Sequence, residues 1–438
     1  MMDLIRGPHH RLSAFEAARR LQRRELTALA YTEACLDRIA EREPVVQAFA
    51  YIDPALAREQ ARTLDAGAVR GPLHGLGVGI KDIFETRDMP TQGGSEAFRG
   101  YQSTTDAAVV ATLRQAGAVM MGKTVTAELA TFPPNATTHP LNAAHTPGGS
   151  SSGSAAAVAD FMLPFATATQ TLGSTVRPAG YCGVRGYKPT YNLLPRRGVW
   201  PNADSVDTVG LMARDVRDLA MFAAVAAQYP GLAFDDESIT APPVIGMCQT
   251  WEWNRADRAI QQAFEDCRAR FARAGAKVID VKLPEAFKGL LQAHRDVAMY
   301  EMSRSFADIL AHDAARIRKP LLERSLAGLD IDPERYLAAQ TLGRDCRAQF
   351  SAVMGACDVL FAPAATGEAP LGVASTGDTS MNQIWTFLHG PCISVTGGLG
   401  ERGLPLAMQV VGRIGDDRRC LRAARWVECC LDDVGSLA

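Results

Sequence analysis

The chain is poor in the features that announce a metal, redox or membrane protein. None of its ten cysteines forms a C-x-x-C pair, and none of its eight histidines has metal-ligand spacing. A zinc site and a disulfide scaffold are therefore not expected, no metal or other cofactor is called for, and the thiols read as reduced and mostly buried, in a cytoplasmic protein. Cys429 and Cys430 are adjacent on a predicted helix and would point different ways. No apolar run is long enough to span a bilayer, and Met1 to Arg11 shows no apolar leader segment. An excess of one charge is missing too. The formal net charge is −2 with 21% charged residues, which leaves no footprint for a nucleic acid or a membrane surface. There is no internal repeat and no low-complexity tract. What remains, 438 residues at 47% hydrophobic, is ordinary globular composition with enough apolar side chain for a large core.

Strand and helix patterns alternate along that chain. Ser13-Ala14-Phe15-Glu16 is a capping box. A second helix carries Leu29, Leu36 and Ile39 on one side. Leu76 to Ile80 reads as a short buried strand that delivers Lys81. Asp106 to Ala116 reads as a helix stopped by Gly117, with a strand from Ala118 to Met121. Leu163 to Ala168 reads as a strand, and Asp215 caps a helix from Val216 to Gln228. Beyond Pro242-Pro243, a strand at Val244 to Cys248, a helix at Ala256 to Ala274 and a strand at Lys277 to Val281 form a β-α-β unit. Residues 285–345 are helical. Asp358 to Phe361, Cys392 to Thr396 and Leu406 to Val411 are the last core strands, and a helix from Arg418 to Leu431 closes the chain. The class is α/β, with one large domain over residues 1–438 built on a mixed central β-sheet covered by helices.

Two clusters of Gly and Ser interrupt this pattern. Gly148-Gly149-Ser150-Ser151-Ser152-Gly153 is followed at once by Ala155, Ala156, Ala157 and Val158, so it opens a small-residue helix and is no linker. Such a turn brings backbone close to other groups and leaves free N–H groups at the helix start. Ala168-Thr169-Gln170-Thr171-Leu172-Gly173-Ser174 follows a strand and runs on to Arg177-Pro178. Two motif matches nearby are accidental. Gly117 to Thr124 fits G-x-x-x-x-G-K-[ST], but a helix precedes it and its middle is an apolar β-type run with no room for a phosphate. Gly149 to Gly153 fits G-x-S-x-G, the nucleophile elbow. It follows a loop from Leu141 to Pro147 where a strand is required, although His294, His312 and His389 lie downstream as triad candidates.

These stretches together resemble the amidase-signature family. Its members hydrolyse amides with a Ser, a second Ser in a cis peptide, and a Lys. The family's G-G-S-S-G is matched at Gly148 to Gly153. Its G-T-D-T-G-G-S is matched at Ala168 to Ser174, and its C-G-x-x-G-x-K-P-T at Cys182 to Thr190. A strand ending G-[IV]-K-D is found at Gly79-Ile80-Lys81-Asp82. Ser205 to Gly210 and the G-L-P-x-x-x-Q of Gly403 to Gln409 match further elements, so the resemblance covers roughly the whole chain.

The resemblance implies Ser174 as nucleophile, Ser150 as bridging serine and Lys81 as base. It implies an oxyanion hole from the backbone of Thr171, Leu172, Gly173 and Ser174, and substrate contacts from Gly149, Ser151 and Arg177. Cys182 would be a buried structural thiol, and the helical region about 285–345 would shape the pocket. A Lys at a buried strand end is desolvated, which lowers its pKa and lets it act as a base. The expected activity is hydrolysis of a small carboxylic amide through a Ser acyl-enzyme, in a homodimer without cofactor or metal. The alternatives are the glutamine-hydrolysing subunit of an aminoacyl-tRNA amidotransferase, or a binding protein on an amidase scaffold. One departure matters. The family's common form places Arg two residues after the nucleophile; here Arg177 stands three after, and Leu172 replaces a Gly. The shifted Arg resembles the malonamidase-like branch, whose Arg binds a substrate carboxylate, and sits poorly with the glutaminase subunit. If the segment after Ser174 is extended, the extra residue turns Arg177 to the other side.

Overall fold

Most strands of this chain are buried on both faces, which is why they read as short continuous apolar runs. The computed structural model describes residues 8–236, 239 and 241–435; residues 1–7, part of the stretch read for a leader, lie outside it. In chain order the strands are β1 (Phe49–Ile52), β2 (Gly77–Lys81), β3 (Val119–Thr124), β4 (Phe165–Gln170), β5 (Arg185–Lys188) and β6 (Thr208–Ala213). They continue as β7 (Val244–Met247), β8 (Lys277–Asp280), β9 (Val359–Pro363), β10 (Cys392–Leu399) and β11 (Pro405–Val411). Among the described residues they form one 11-stranded sheet in the order β1-β3-β2-β4-β6-β5-β10-β11-β9-β7-β8. The sheet is mixed: β2 runs parallel to β3 and β4, whereas β4–β6, β5–β6 and β10–β11 are antiparallel. The two edges, β1 and β8, are four residues long and partly exposed, a form that limits edge pairing.

The expected elements are present with shifted ends. Ser13 Oγ accepts from Glu16 N at 3.1 Å, and Asp215 Oδ1 accepts from Asp218 N at 2.7 Å, so both caps are used. Gly117 and Gly275 stop their helices at φ of +86° and +90°. The strand expected at Leu163 to Ala168 runs from Phe165 to Gln170, and that expected at Ala118 to Met121 runs on to Thr124. Polar residues end both strands, and apolar periodicity does not register them. The segment after Ser174 is a short helix, Val176–Tyr181, so the extended geometry considered for Arg177 is not found. The region 285–345 holds helices Leu290–Ser305, Ala307–His312 and Lys319–Leu329 and most of Pro333–Met354.

The site follows from the parallel part of the sheet. Carboxyl ends of parallel strands open onto a common edge, the usual place for a ligand in α/β folds. Here that edge carries Lys81 from β2 and the turn after Gln170 from β4.

Candidate active site

Lys81 is the last residue of β2 and has no exposed surface. Its backbone N–H donates to Thr167 Oγ1 at 2.9 Å. Its Nζ lies 2.9 Å from Ser150 Oγ and 2.7 Å from Thr169 Oγ1. Thr167 and Thr169 are two residues apart on β4 and so share one face, where they receive the main chain and the side chain of the same lysine. Among the described residues no carboxylate pairs with Lys81. Burial brings its pKa down to about 7, against a smaller opposing pull from Asp207.

Ser150 is held by the loop that opens helix Ser152–Ala159. The Gly149–Ser150 peptide is cis, as the resemblance implied. Ser150 O accepts from Ala127 N at 3.0 Å. Ser154 Oγ donates to Thr167 O and shares a hydrogen bond with Thr124 Oγ1, which fixes the helix start to β4 and β3. Gly153 is needed for this seat, because a Cβ there would lie 2.1 Å from Ala48 O.

Ser174 ends the second turn and opens, with Ser150, into a cavity of about 330 Å³. Thr171, Leu172 and Arg177 line it as well. Among the described residues nothing accepts from the backbone N–H of Leu172, Gly173 or Ser174. The next two N–H groups, of Thr175 and Val176, both donate to Gln170 Oε1 at 3.0 Å. Gln170 thus occupies the helix-start donors and leaves those of the turn for a ligand. Its Nε2 donates to Thr386 Oγ1, which in turn donates to Leu172 O. Gly173 presses on Asn382, so that a Cβ would meet its Oδ1 at 2.5 Å. The turn is also held at Thr171. Its hydroxyl donates to Asp207 Oδ1 at 2.6 Å, and His294 Nε2 bonds its carbonyl at 3.0 Å. Burial lowers the His294 pKa to about 4, so the ring donates to that carbonyl as a neutral imidazole. Burial raises the Asp207 pKa to about 6, opposed by the Thr171 hydroxyl and the N–H groups of Asn202 and Ala203.

The other expected residues divide. Arg177 lines the cavity but is buried and already engaged. Its Nη2 donates to Gly149 O at 2.8 Å and to Thr376 Oγ1 at 3.4 Å, and Nη1 to Gly377 O at 3.2 Å. No carboxylate pairs with it among the described residues; two backbone carbonyls and one hydroxyl hold it instead. Ser151 is not brought to the cavity. It is fully buried, 3.5 Å from Thr169 O and 3.4 Å from Thr169 N, because the helix start turns it toward β4. Gly149 reaches the site through its carbonyl contact with Arg177. Cys182 is a buried thiol 3.6 Å from Pro147 O. Of the three histidines considered for a nucleophile elbow, His294 bonds the Thr171 carbonyl, whereas His389 stacks on Tyr191 and His312 is on the surface beside Asp308. Lys123 of the accidental phosphate-loop match is buried in β3 and paired with Asp82 at 3.1 Å. Thr169, Gln170, Asp207 and His294 carry weight that the linear reading did not assign; the Thr-x-Thr spacing at the end of β4 was the available signal. Among the described residues no cluster of His, Cys, Asp and Glu is placed to hold a metal ion, and no helix is long and apolar enough to cross a membrane.

A model of the Amidase family matches residues 30–421. The chain belongs to the amidase family. Its solved relatives share the whole single-domain α/β fold. A structure described as that of an amidase superposes with a TM-score of 0.88 at 29% identity, covering 95% of this chain and 99% of that one. The native peptide amidase from Stenotrophomonas maltophilia superposes with a TM-score of 0.82 at 30% identity, covering 96% and 97%. In sequence, a glutamyl-tRNA(Gln) amidotransferase subunit of Anaeromyxobacter sp. (strain K) is 32% identical over 95% of this chain and 96% of its own length. Members of the amidase family act on the C–N bonds of amides, and this chain is one of them.

Proposed function

We propose that this amidase hydrolyses a small carboxylic amide through an acyl-enzyme on Ser174. The observation that carries the reading is Lys81 Nζ, buried without a carboxylate, 2.9 Å from Ser150 Oγ and with a pKa near 7. A neutral amine accepts the Ser150 proton while still donating to Thr169 Oγ1. Ser150 takes the proton of Ser174, and Ser174 Oγ forms a bond to the amide carbon. The carbonyl oxygen becomes an oxyanion, held by the N–H groups of the turn from Thr171 to Ser174. A preorganised donor of this kind contributes roughly 2.7–4 kcal/mol. The C–N bond then breaks as Ser150 returns a proton to the leaving nitrogen and Lys81 replenishes Ser150. Water adds to the Ser174 ester, gives its proton to the same relay, and frees the acid.

Arg177 is a positioning residue in this reading, because its bond to Gly149 O holds the loop that presents Ser150. The helical region 285–345 supplies Arg295, Met299 and Arg324 to the cavity wall and so shapes the substrate pocket. A homodimer and a reducing, cytoplasmic setting complete the proposal; eight buried thiols suit the latter, and sedimentation tests the former.

A second reading, a glutaminase that works only within a larger amidotransferase, is favoured by the likeness to the Anaeromyxobacter protein. Ammonia release from a panel of small amides by the chain alone separates the two. The first reading expects turnover that Ser174→Ala abolishes and a serine-directed phosphonate recovered on Ser174. Hydrolysis unaffected by Ser174→Ala, or a label on Ser151 or Ser152, overturns it.

A further inference from the structure

The cavity beside Ser174 is lined by three guanidiniums, Arg177, Arg295 and Arg324, and by no Asp or Glu among the described residues. They differ in what they already hold. Arg177 spends both terminal nitrogens on Gly149 O, Thr376 Oγ1 and Gly377 O. Arg295 and Arg324 are half-buried, and neither makes a hydrogen bond or ion pair among the described residues. Such a pair is unusual, since half-buried guanidiniums are normally matched. Another arginine-rich cavity of this protein, about 650 Å³, shows the usual arrangement: Arg42 pairs with Asp160 at 2.7 Å and Arg425 with Glu428 at 2.7 Å.

The two unmatched arginines are placed together by their helices. Arg295 and Met299 share a face of Leu290–Ser305, and Arg324 and Gly328 share a face of Lys319–Leu329. The helices touch where Gly328 meets Met299 O, close enough that a Cβ on Gly328 would lie 2.3 Å from it. Burial lowers the Arg324 pKa and the charge of Arg295 lowers it further, so the guanidiniums repel across the cavity. The helix with Arg295 also carries His294, which bonds the Thr171 carbonyl of the oxyanion turn. The pair is thereby tied to the reacting end of the site.

We propose that Arg295 and Arg324 form an anion clamp that reads a carboxylate on the substrate, so that the preferred amides are acidic ones such as monoamides of short dicarboxylic acids. The inference rests on the amidase reading of Ser174, and it moves carboxylate recognition from Arg177 to this pair. A planar guanidinium binds a carboxylate in bidentate fashion, and the anion, once bound, offsets the like-charge repulsion between the two cations. The clamp acts as a specificity device: a neutral amide leaves both cations unmatched.

Binding tests this without relying on turnover. Titration calorimetry with succinate, and with neutral succinamide as control, is run on the full chain with Ser174→Ala, which blocks turnover of the amide, alone and combined with Arg295→Gln, Arg324→Gln or Arg324→Lys. Saturable succinate binding is expected, weakened about 10- to 100-fold by either Gln substitution and less by Arg324→Lys. Succinamide binding is expected to change little, and the melting temperature to hold or rise, because a repulsive pair is relieved. Succinate bound equally by all four proteins, or a parallel loss of both ligands, overturns the clamp. If Ser174→Ala retains amide hydrolysis, the amidase mechanism fails while the succinate result still stands.

Discussion

Lys81 and Lys123 lie on adjacent strands, both without exposed surface, and meet different kinds of partner. In the parallel register of β2 and β3, Lys123 pairs with Ile80 and not with Lys81. That one-residue offset sends the two ammonium groups to opposite faces of the sheet. On one face Lys123 meets Asp82 at 3.1 Å, Thr91 Oγ1 at 2.7 Å and Pro90 O at 3.0 Å, a set that neutralises and satisfies a cation. On the other, Lys81 meets two hydroxyls and no carboxylate. Burial lowers the pKa of both lysines, but at Lys123 the charge and hydrogen bond of Asp82 oppose it. The partners differ, because hydroxyls stabilise the neutral amine as well as the cation, whereas a carboxylate favours the cation.

The largest expected difference is in activity. Lys81→Met is expected to lower kcat/KM by roughly 10⁴-fold or more, in line with loss of a base from a coupled relay. Lys123→Met is expected to leave kcat of the folded protein unchanged. Its effect falls on stability, since it strands the buried Asp82 carboxylate, a loss of about 3–5 kcal/mol in urea unfolding. An equal loss of activity in both would erase the distinction between the two lysines.

Stability sharpens the contrast because the signs differ. The folded pKa of Lys81 is depressed, so the unfolded chain binds its proton more readily between about pH 7 and its ordinary value of 10.5. Keeping Lys81 neutral therefore destabilises the fold by roughly 4 kcal/mol at pH 7. The penalty is full below pH 7 and fades as the pH approaches 10.5. Each hydroxyl left without its amine offsets about 0.5–1.5 kcal/mol. Lys81→Met is thus expected to gain of order 1–3 kcal/mol near neutrality, an increment that shrinks at alkaline pH. A destabilised Lys81→Met at pH 7 would mean that Lys81 is held as a cation.

Smaller effects bear on the groups around Lys81. Arg177→Gln is expected to slow acidic and neutral amides alike and to lower the melting temperature, because it frees Gly149 O and the loop of Ser150. A selective loss towards acidic amides would return carboxylate recognition to Arg177. As the proposed base Lys81 must be neutral, so kcat/KM is expected to rise through pH 7 and then level. Asp207 raises the Lys81 pKa; Asp207→Asn is therefore expected to move this acid limb to lower pH, and an upward shift would contradict the coupling.

Local patterns drew attention to Lys81, Ser150 and Ser174 (a buried strand end, a Gly-Ser turn before a small-residue helix, and a second Gly-Ser turn after a strand), and the family resemblance supplied their expected roles; the structure sets Lys81 Nζ beside Ser150 Oγ and opens Ser150 and Ser174 into one cavity. The α/β class and most core strands were legible from local patterns too. What was not legible depends on contacts between distant segments. The helix carrying Arg177 is six residues long, too short for a period, so its geometry was left open. Ser151 looked available beside Ser150, but the turn of the helix start buries it. The antiparallel half of the sheet and the roles of Asp207 and His294 come from pairings across many residues. Arg295 and Arg324 looked like any other arginines in a helical region rich in charge; only their shared cavity and their want of a partner set them apart.

The central claim is that Lys81 is neutral where the enzyme works, and its titration tests this most directly. In protein with ¹³C-labelled lysine side chains, the Cε resonance that disappears in Lys81→Met reports Lys81. The account expects that resonance to titrate near pH 7. A Lys81 resonance that stays in the charged form up to pH 9 or beyond would contradict it.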